Sequence, residues 1–132
     1  MDKKKFSIEH ELRCKSVKII WPLLSTPAGL AKWLADEVTL EDGQLTFTWG
    51  NVWSHHEVRS AGIIEKKDFE FIRYRWCDEV NENAYWELKV EKGDITNDFI
   101  LIITDFASAS EKDTLEDIWS GNLERLHRST GL

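Results

Sequence analysis

The stretch LEDIWSGNLERL, residues 115–126, decides the fold class of this chain. Its apolar residues recur at spacings of three and four, which is typical of an amphipathic helix. We predict a helix from about Glu111 to Arg128, with an apolar face formed by Leu115, Ile118, Trp119, Leu123 and Leu126. Such a helix has to bury this face against another layer, and the preceding residues must supply it.

The residues between Asp36 and this helix are typical of an antiparallel meander. Short segments rich in β-branched and aromatic residues end at Gly, Asn or Asp. The predicted strands lie in VTLED, QLTFTWG, VWSHHEVRSAGIIEKK, FEFIRYRWC, NENAYWELKVE and ITNDFILIITDF. Together they can form a sheet that covers the helix.

One further strand and two short helices precede the meander. Apolar residues alternate with polar ones from Phe6 to Cys14, which indicates a half-buried strand. Ser16 can cap a helix in VKIIWPLL, and Thr26-Pro27 supplies a cap and a first-turn proline for PAGLAKWLA. We predict an α+β fold in one domain, residues 1–132, with a curved antiparallel sheet of six to seven strands around the C-terminal helix.

This order of elements resembles the START-like superfamily, also called the helix-grip or SRPBCC superfamily. The resemblance rests on WPLLSTPAGLAKWL, GQLTFTWG, EVRSAGIIEKKDFEFIRYRW, AYWELKVEKGD followed by DFILIITDF, and the helix that carries Trp119. The chain is most similar to the small bacterial proteins that resemble the activator of the heat-shock-protein ATPase. The superfamily includes lipid and hormone binders, cyclases, oxygenase domains and co-chaperones, so the resemblance implies the fold and leaves the function open.

Composition excludes several classes of partner. Seventeen basic and 24 acidic residues give a net charge of −7, which argues against binding to nucleic acid or to anionic membranes. The sequence has no apolar signal core and no membrane-spanning run. Cys14 and Cys77 form no metal or redox motif, so we expect two free thiols, a cytoplasmic location and no cofactor.

The segment TFTWGNVWSHHEV, residues 46–58, carries adjacent histidines. Neighbouring residues of a strand point to opposite faces, so His55 and His56 cannot bind one metal ion together, and we predict no metal site. His55 and Glu57 share a face and are the candidate catalytic pair. The simpler interpretation is a hairpin with its turn at Gly50-Asn51 and one histidine facing a cavity.

Aromatic residues occur in almost every predicted element, and small-molecule sites are mostly apolar with a few polar groups. Asn122 lies at the centre of the apolar helix face, so we expect its carboxamide to face the sheet and to need a partner. Arg73 and Arg75 are assigned to the solvent face of their strand. The predicted ligand-binding residues are Trp21, Trp49, Trp53, His55, Tyr74, Trp76, Trp86, Phe106, Trp119 and Asn122.

Three functions fit these patterns. The first is binding of a small hydrophobic or aromatic molecule between the sheet and the C-terminal helix. The second is a co-chaperone-like module that binds a protein through its acidic surface. The third is a cyclase- or hydrolase-like enzyme that uses His55 and Glu57, although no catalytic motif gives positive support for an enzyme.

Overall fold

The structure, a computed structural model, describes residues 3–50 and 56–132. Seven strands and three helices follow one another along these residues. They are β1 (Lys4–Glu11), α1 (Val17–Ser25), α2 (Pro27–Leu30), β2 (Glu37–Glu41), β3 (Gln44–Gly50), β4 (His56–Lys67), β5 (Phe71–Trp76), β6 (Trp86–Lys92), β7 (Phe99–Ala107) and α3 (Lys112–Thr130).

The strands form a single antiparallel sheet with the order β1-β7-β6-β5-β4-β3-β2. Consecutive strands are neighbours from β2 to β7, and β1 closes the far side by pairing with β7. A register shift between Ile63 and Glu65 interrupts the β4–β5 ladder, and such a bulge bends a strand. The sheet, the terminal helix and the two short helices confirm the predicted α+β helix-grip fold.

The core lies between one face of the sheet and the helices. Tyr74 and Ile72 of β5 are fully buried, and so are Leu101 and Ile103 of β7. These side chains alternate with partly exposed residues on the other face, as the pleat of a strand requires.

Helix α3 covers this sheet face with the side chains of Trp119, Leu123 and Leu126, which are all buried. The prediction that Ile118 belongs to the buried face is wrong, because its side chain is 53% exposed. Ile118 precedes Trp119 by about 100° around the helix axis, which places it at the edge of the apolar face.

The two short helices begin where the sequence predicts. The hydroxyl of Thr26 accepts a hydrogen bond from the Gly29 amide at 3.0 Å, so Thr26 caps α2. Ser16 stands at the start of α1, but its side chain makes no capping hydrogen bond. Helix α2 ends at Leu30 and is therefore shorter than predicted.

Free carbonyls at the end of α1 are satisfied by two aromatic side chains. Trp33 Nε1 donates to the Leu23 oxygen at 2.8 Å, and the Tyr74 hydroxyl donates to the Leu24 oxygen at 2.6 Å. Burial also raises the pKa of the Tyr74 hydroxyl above its ordinary value. The bond from Tyr74 holds α1 against the sheet, and the bond from Trp33 holds it against the segment after α2. Both side chains therefore have a structural role.

The two cysteines differ in exposure, which makes the thiol prediction more specific. Cys77 is exposed, whereas Cys14 is partly buried and its Sγ lies 3.6 Å from the Ser16 carbonyl oxygen. A thiol reagent should modify Cys77 quickly and Cys14 slowly in the native protein, because access limits the reaction. Titration after unfolding without reductant should find two thiols. Fewer than two, in protein kept from air, would contradict the prediction.

Candidate functional site

Aromatic side chains from three strands, β3, β5 and β6, form a continuous wall on the helix side of the sheet. The Phe47 ring lies 6.1 Å from Trp49, 5.3 Å from Trp76 and 6.0 Å from Trp86. Trp86 in turn lies 6.0 Å from Trp119 of α3, so the wall reaches from the sheet to the helix. The ring arrangements are stacked, tilted or edge-to-face, which are the geometries that aromatic pairs prefer.

A carboxyl group lies at the inner end of this wall. Asp105 of β7 is 9% exposed, its Oδ2 accepts a hydrogen bond from Trp119 Nε1 at 2.8 Å, and its Oδ1 accepts one from the Phe106 amide at 2.7 Å. Burial raises the pKa of Asp105 to about 6, although the two hydrogen bonds favour the ionised form and lower it. Lys3 also lowers this pKa and Glu79 raises it, and these two side chains form an ion pair at 2.7 Å.

The indole nitrogen of Trp86 is a buried donor without a partner among the described residues. A buried donor without an acceptor costs about 1–3 kcal/mol. Two other tryptophans that line the cavity differ in this respect, since Trp49 Nε1 donates to the Leu34 oxygen at 2.7 Å and Trp119 Nε1 donates to Asp105. Trp86 therefore lines the cavity with a buried N–H donor that no described residue satisfies.

Between the aromatic wall and α3 lies a cavity of about 490 Å³ that opens at one side. Small-molecule sites commonly enclose about 300–1,000 Å³, so this volume suits a small ligand. The lining residues are Leu34, Phe47, Trp49, Glu57, Arg59, Trp76, Trp86, Asp105, Leu115, Asp117, Ile118, Trp119, Gly121, Asn122 and Arg125.

Charged side chains of both signs stand around the opening. The guanidinium carbon of Arg59 lies 4.0 Å from the centre of the Trp76 ring, and its Nη2 lies 2.9 Å from Asp78. The hydrogen bond from Arg59 lowers the pKa of Asp78. Arg125 of α3 donates to Asp36 at 3.1 Å, which links the helix to the segment before β2. The rim is therefore held in place by ion pairs, whereas the interior is mainly aromatic.

Comparison with known proteins agrees with this architecture. A family model described as a START-like superfamily domain matches residues 1–132. The chain belongs to the START-like superfamily. This membership confirms the resemblance inferred from the sequence. A search of the curated proteins found no match.

Several solved structures share the START-like fold. A Bacteroides fragilis protein, solved by solution NMR, is 40% identical, with a TM-score of 0.64 over 97% of this chain and 91% of that one. An AHSA1-like protein from Aeromonas hydrophila is 12% identical, with a TM-score of 0.76 over 97% and 92%. The Aha1 dimer from Colwellia psychrerythraea is 13% identical, with a TM-score of 0.66 over 99% and 98%. The last two show a shared fold and no more.

Five of the predicted ligand-binding residues meet at the cavity of this START-like domain. They are Trp49, Trp76, Trp86, Trp119 and Asn122. Glu57, one member of the candidate catalytic pair, also lines the cavity, and its side chain is exposed. The other member, His55, lies outside the described residues, as do Trp53 and the turn predicted after Gly50.

Three predicted ligand contacts lie elsewhere in the described structure. Trp21 packs against Phe69 with ring centres 6.2 Å apart, and Tyr74 lies behind Trp86 with ring centres 4.3 Å apart. Phe106 follows Asp105 in β7 and points to the opposite face of the sheet, where it packs against Tyr85 at 4.9 Å. None of the three lines the cavity.

The two arginines assigned to the solvent face of β5 make local contacts. Arg73 donates to Glu87 at 2.8 Å and lies 4.2 Å from the centre of the Tyr85 ring. Arg75 donates to the backbone oxygens of Glu82 and Ala84. Both side chains therefore stabilise the outer face of the sheet.

Two further sequence predictions concern metal and membrane. Among residues 3–50 and 56–132 no group of three metal-binding side chains occurs. Within the same residues, none of the helices has the length and apolar character to cross a bilayer.

The cavity residue with the most distinctive chemistry, Asp105, is not among the predicted site residues. Asp105 is the charged residue of FILIITDF, and inward-facing apolar residues precede it at positions 101 and 103. The alternation in β7 therefore places Asp105 on the inward-facing side. This pattern could have identified it as a candidate site residue, because charged side chains are almost never fully buried without a partner.

Proposed function

We propose that this protein binds a small aromatic or hydrophobic molecule between the sheet and α3. The START-like fold commonly binds ligands or acts in protein interaction. The observation that favours a ligand here is the cavity of about 490 Å³ walled by Phe47 and indole rings. It offers an apolar surface for a flat molecule and, at its inner end, a few polar groups that can orient it.

Probe binding to an Asn122 variant tests this proposal. Asn122 lines the cavity from the helix side and is partly buried. The neutral fluorescent probe N-phenyl-1-naphthylamine should bind the wild type, brighten and quench tryptophan emission. Asn122→Phe should fill the cavity and abolish probe binding while the protein stays folded. Ser120→Phe is the matched control, because Ser120 is exposed on the same helix and does not line the cavity.

A different outcome would overturn the proposal. A tight core would be overpacked by Asn122→Phe and destabilised by about 1–3 kcal/mol. If that loss accompanies an absence of probe binding to the wild type, the aromatic wall is core packing. The co-chaperone-like module would then be the better proposal, and capture of a defined chaperone would test it.

The natural ligand can be sought in parallel by native mass spectrometry of gently purified protein. A bound molecule should add a defined mass that disappears in Asn122→Phe and persists in Ser120→Phe. The enzyme alternative depends on His55 and Glu57, and a chemical activity lost in His55→Ala would support it. Glu57 stands at the exposed opening, which is a suitable place for recognition of a ligand's polar edge.

A further inference from the structure

Two polar side chains that line the cavity, Trp86 and Asp105, are neighbours in the sheet. Glu87 and Thr104 are partners in the β6–β7 ladder, so Trp86 and Asp105 occupy the next pair of facing positions. Side chains at facing positions of antiparallel strands are direct neighbours on one face of the sheet. Trp119 contacts both, through a ring distance of 6.0 Å to Trp86 and a hydrogen bond of 2.8 Å to Asp105.

One of the two groups needs a hydrogen-bond acceptor, and the other can take a further hydrogen-bond donor. Trp86 Nε1 is a donor without a partner among the described residues. Each Asp105 carboxyl oxygen accepts one hydrogen bond, from the Phe106 amide or from Trp119, and a carboxylate can accept more than two. A ligand that satisfies both must accept from the indole and donate to the carboxylate.

This requirement separates ligand classes. A carboxylate on the ligand can accept from Trp86 but is repelled by Asp105, and an ammonium group can donate to Asp105 but cannot accept from Trp86. An ether accepts without donating. A hydroxyl group donates and accepts with one oxygen atom. When it is attached to an aromatic ring, this oxygen lies in the plane of the ring, so the ring faces remain free to contact the cavity walls.

We propose that the ligand is a neutral hydroxylated aromatic molecule whose hydroxyl donates to Asp105 and accepts from Trp86 Nε1. This inference rests on the proposed function, because it assigns the polar contact within the same cavity. The aromatic body lies against Phe47, Trp49 and Trp76, and its far edge points to the charged opening.

A matched set of naphthalenes tests the assignment. 2-Naphthol offers a donor and an acceptor, 2-methoxynaphthalene an acceptor alone, 2-naphthoate an anionic acceptor, and naphthalene neither. Each is titrated into the full chain at about pH 7.5, where 2-naphthol is uncharged. We expect 2-naphthol to bind at least about tenfold more tightly than naphthalene or its methyl ether, because a hydrogen bond to a charged group is strong. 2-Naphthoate should bind most weakly.

The indole N–H signals supply a direct readout. The seven tryptophans give indole cross-peaks in a ¹H–¹⁵N correlation spectrum, and the signal missing in Trp86→Phe identifies Trp86. This proton should move downfield with 2-naphthol, because it gains an acceptor, and should not do so with naphthalene.

Variants assign the selectivity to the two groups. Trp86→Phe and Asp105→Asn should each reduce the preference for 2-naphthol over naphthalene to within about threefold. Trp21→Phe is the control for the first, because Trp21 packs against Phe69 and does not line the cavity. Asp117→Asn is the control for the second, because Asp117 lines the cavity at its exposed side. Both controls should keep the preference.

The possible failures are distinguishable. If naphthalene and 2-naphthol bind equally well, the cavity binds aromatics and the hydroxyl assignment is wrong. The assignment is equally wrong if the preference survives in Trp86→Phe and Asp105→Asn, or if Trp21→Phe removes it as well. If none of the four compounds binds the wild type, the proposed function itself fails.

Discussion

Replacing Gly29 with alanine is expected to destabilise the protein by about 3 kcal/mol. Gly29 is buried at the contact between α2 and α1. A Cβ atom there would overlap the carbonyl oxygen of Pro22 and lie 2.6 Å from its carbonyl carbon and 2.7 Å from Leu23 Cα. These are backbone atoms, so no rotation of a side chain can relieve the overlap, and the two helices must separate.

Separation of the helices would have consequences beyond the added methyl group. Trp33 follows α2 and holds α1 through the hydrogen bond from its Nε1 to the Leu23 oxygen. Displacing α1 would also strain the hydrogen bond from Tyr74 to Leu24. Both aromatic side chains are fully buried, so the loss extends into the core.

Gly121→Ala is the matched control for this prediction. A Cβ atom at Gly121 of α3 meets no heavy atom within 4 Å. Alanine is about 1 kcal/mol more favourable than glycine inside a helix, so this variant should be stabilised by up to that amount. Urea denaturation of both variants measures the two changes in unfolding free energy. Changes of the same sign and similar size would show that Gly29 is not a site of close backbone contact.

The order of the elements could be predicted because it depends on local patterns. Alternation in FIRYRW and a helical period in LEDIWSGNLERL are both readable from the sequence. The start of α2 was predictable for the same reason, because the cap by Thr26 involves an amide only three residues away.

Long-range contacts decide which aromatic residues reach the cavity. Local sequence patterns carry no information about such contacts, so this part of the site could not be predicted. Tyr74 is bound to Leu24, fifty positions away in sequence, and this contact assigns its ring to the core. Phe106 was misplaced for a related reason. FILII in β7 is apolar on both faces, so alternation does not tell which residues point inward. The pairing of Trp86 with Asp105 likewise depends on the register of two strands.

Stability is expected to rise as the pH falls, relative to an Asp105→Asn variant. Burial raises the pKa of Asp105 from 3.8 to about 6 in the folded protein. A carboxyl group with a raised folded pKa contributes stability below its unfolded pKa, and this contribution is lost as the pH rises through the folded pKa. The full contribution is about 3 kcal/mol, of which about 2 kcal/mol should be lost between about pH 4.5 and about pH 7.5.

Comparison with Asp105→Asn isolates this one group. The remaining carboxyl groups are present in both proteins, so their titration largely cancels in the difference of unfolding free energies. Urea denaturation at intervals across this pH range measures that difference. A difference that stays constant with pH would contradict the predicted burial of an ionisable group at the inner end of the cavity.

Trp119→Phe provides a second and directional test. The hydrogen bond from Trp119 Nε1 favours the ionised carboxylate and lowers the pKa of Asp105, so its removal should shift the pH-dependent loss to higher pH. A purely structural role for Asp105 would change the overall stability of this variant without moving the midpoint. An ionised carboxylate here opposes folding at neutral pH. The apolar residues that precede it on the same face of β7 do not have this cost, and the hydroxyl of the proposed ligand would give the carboxylate one more hydrogen-bond donor.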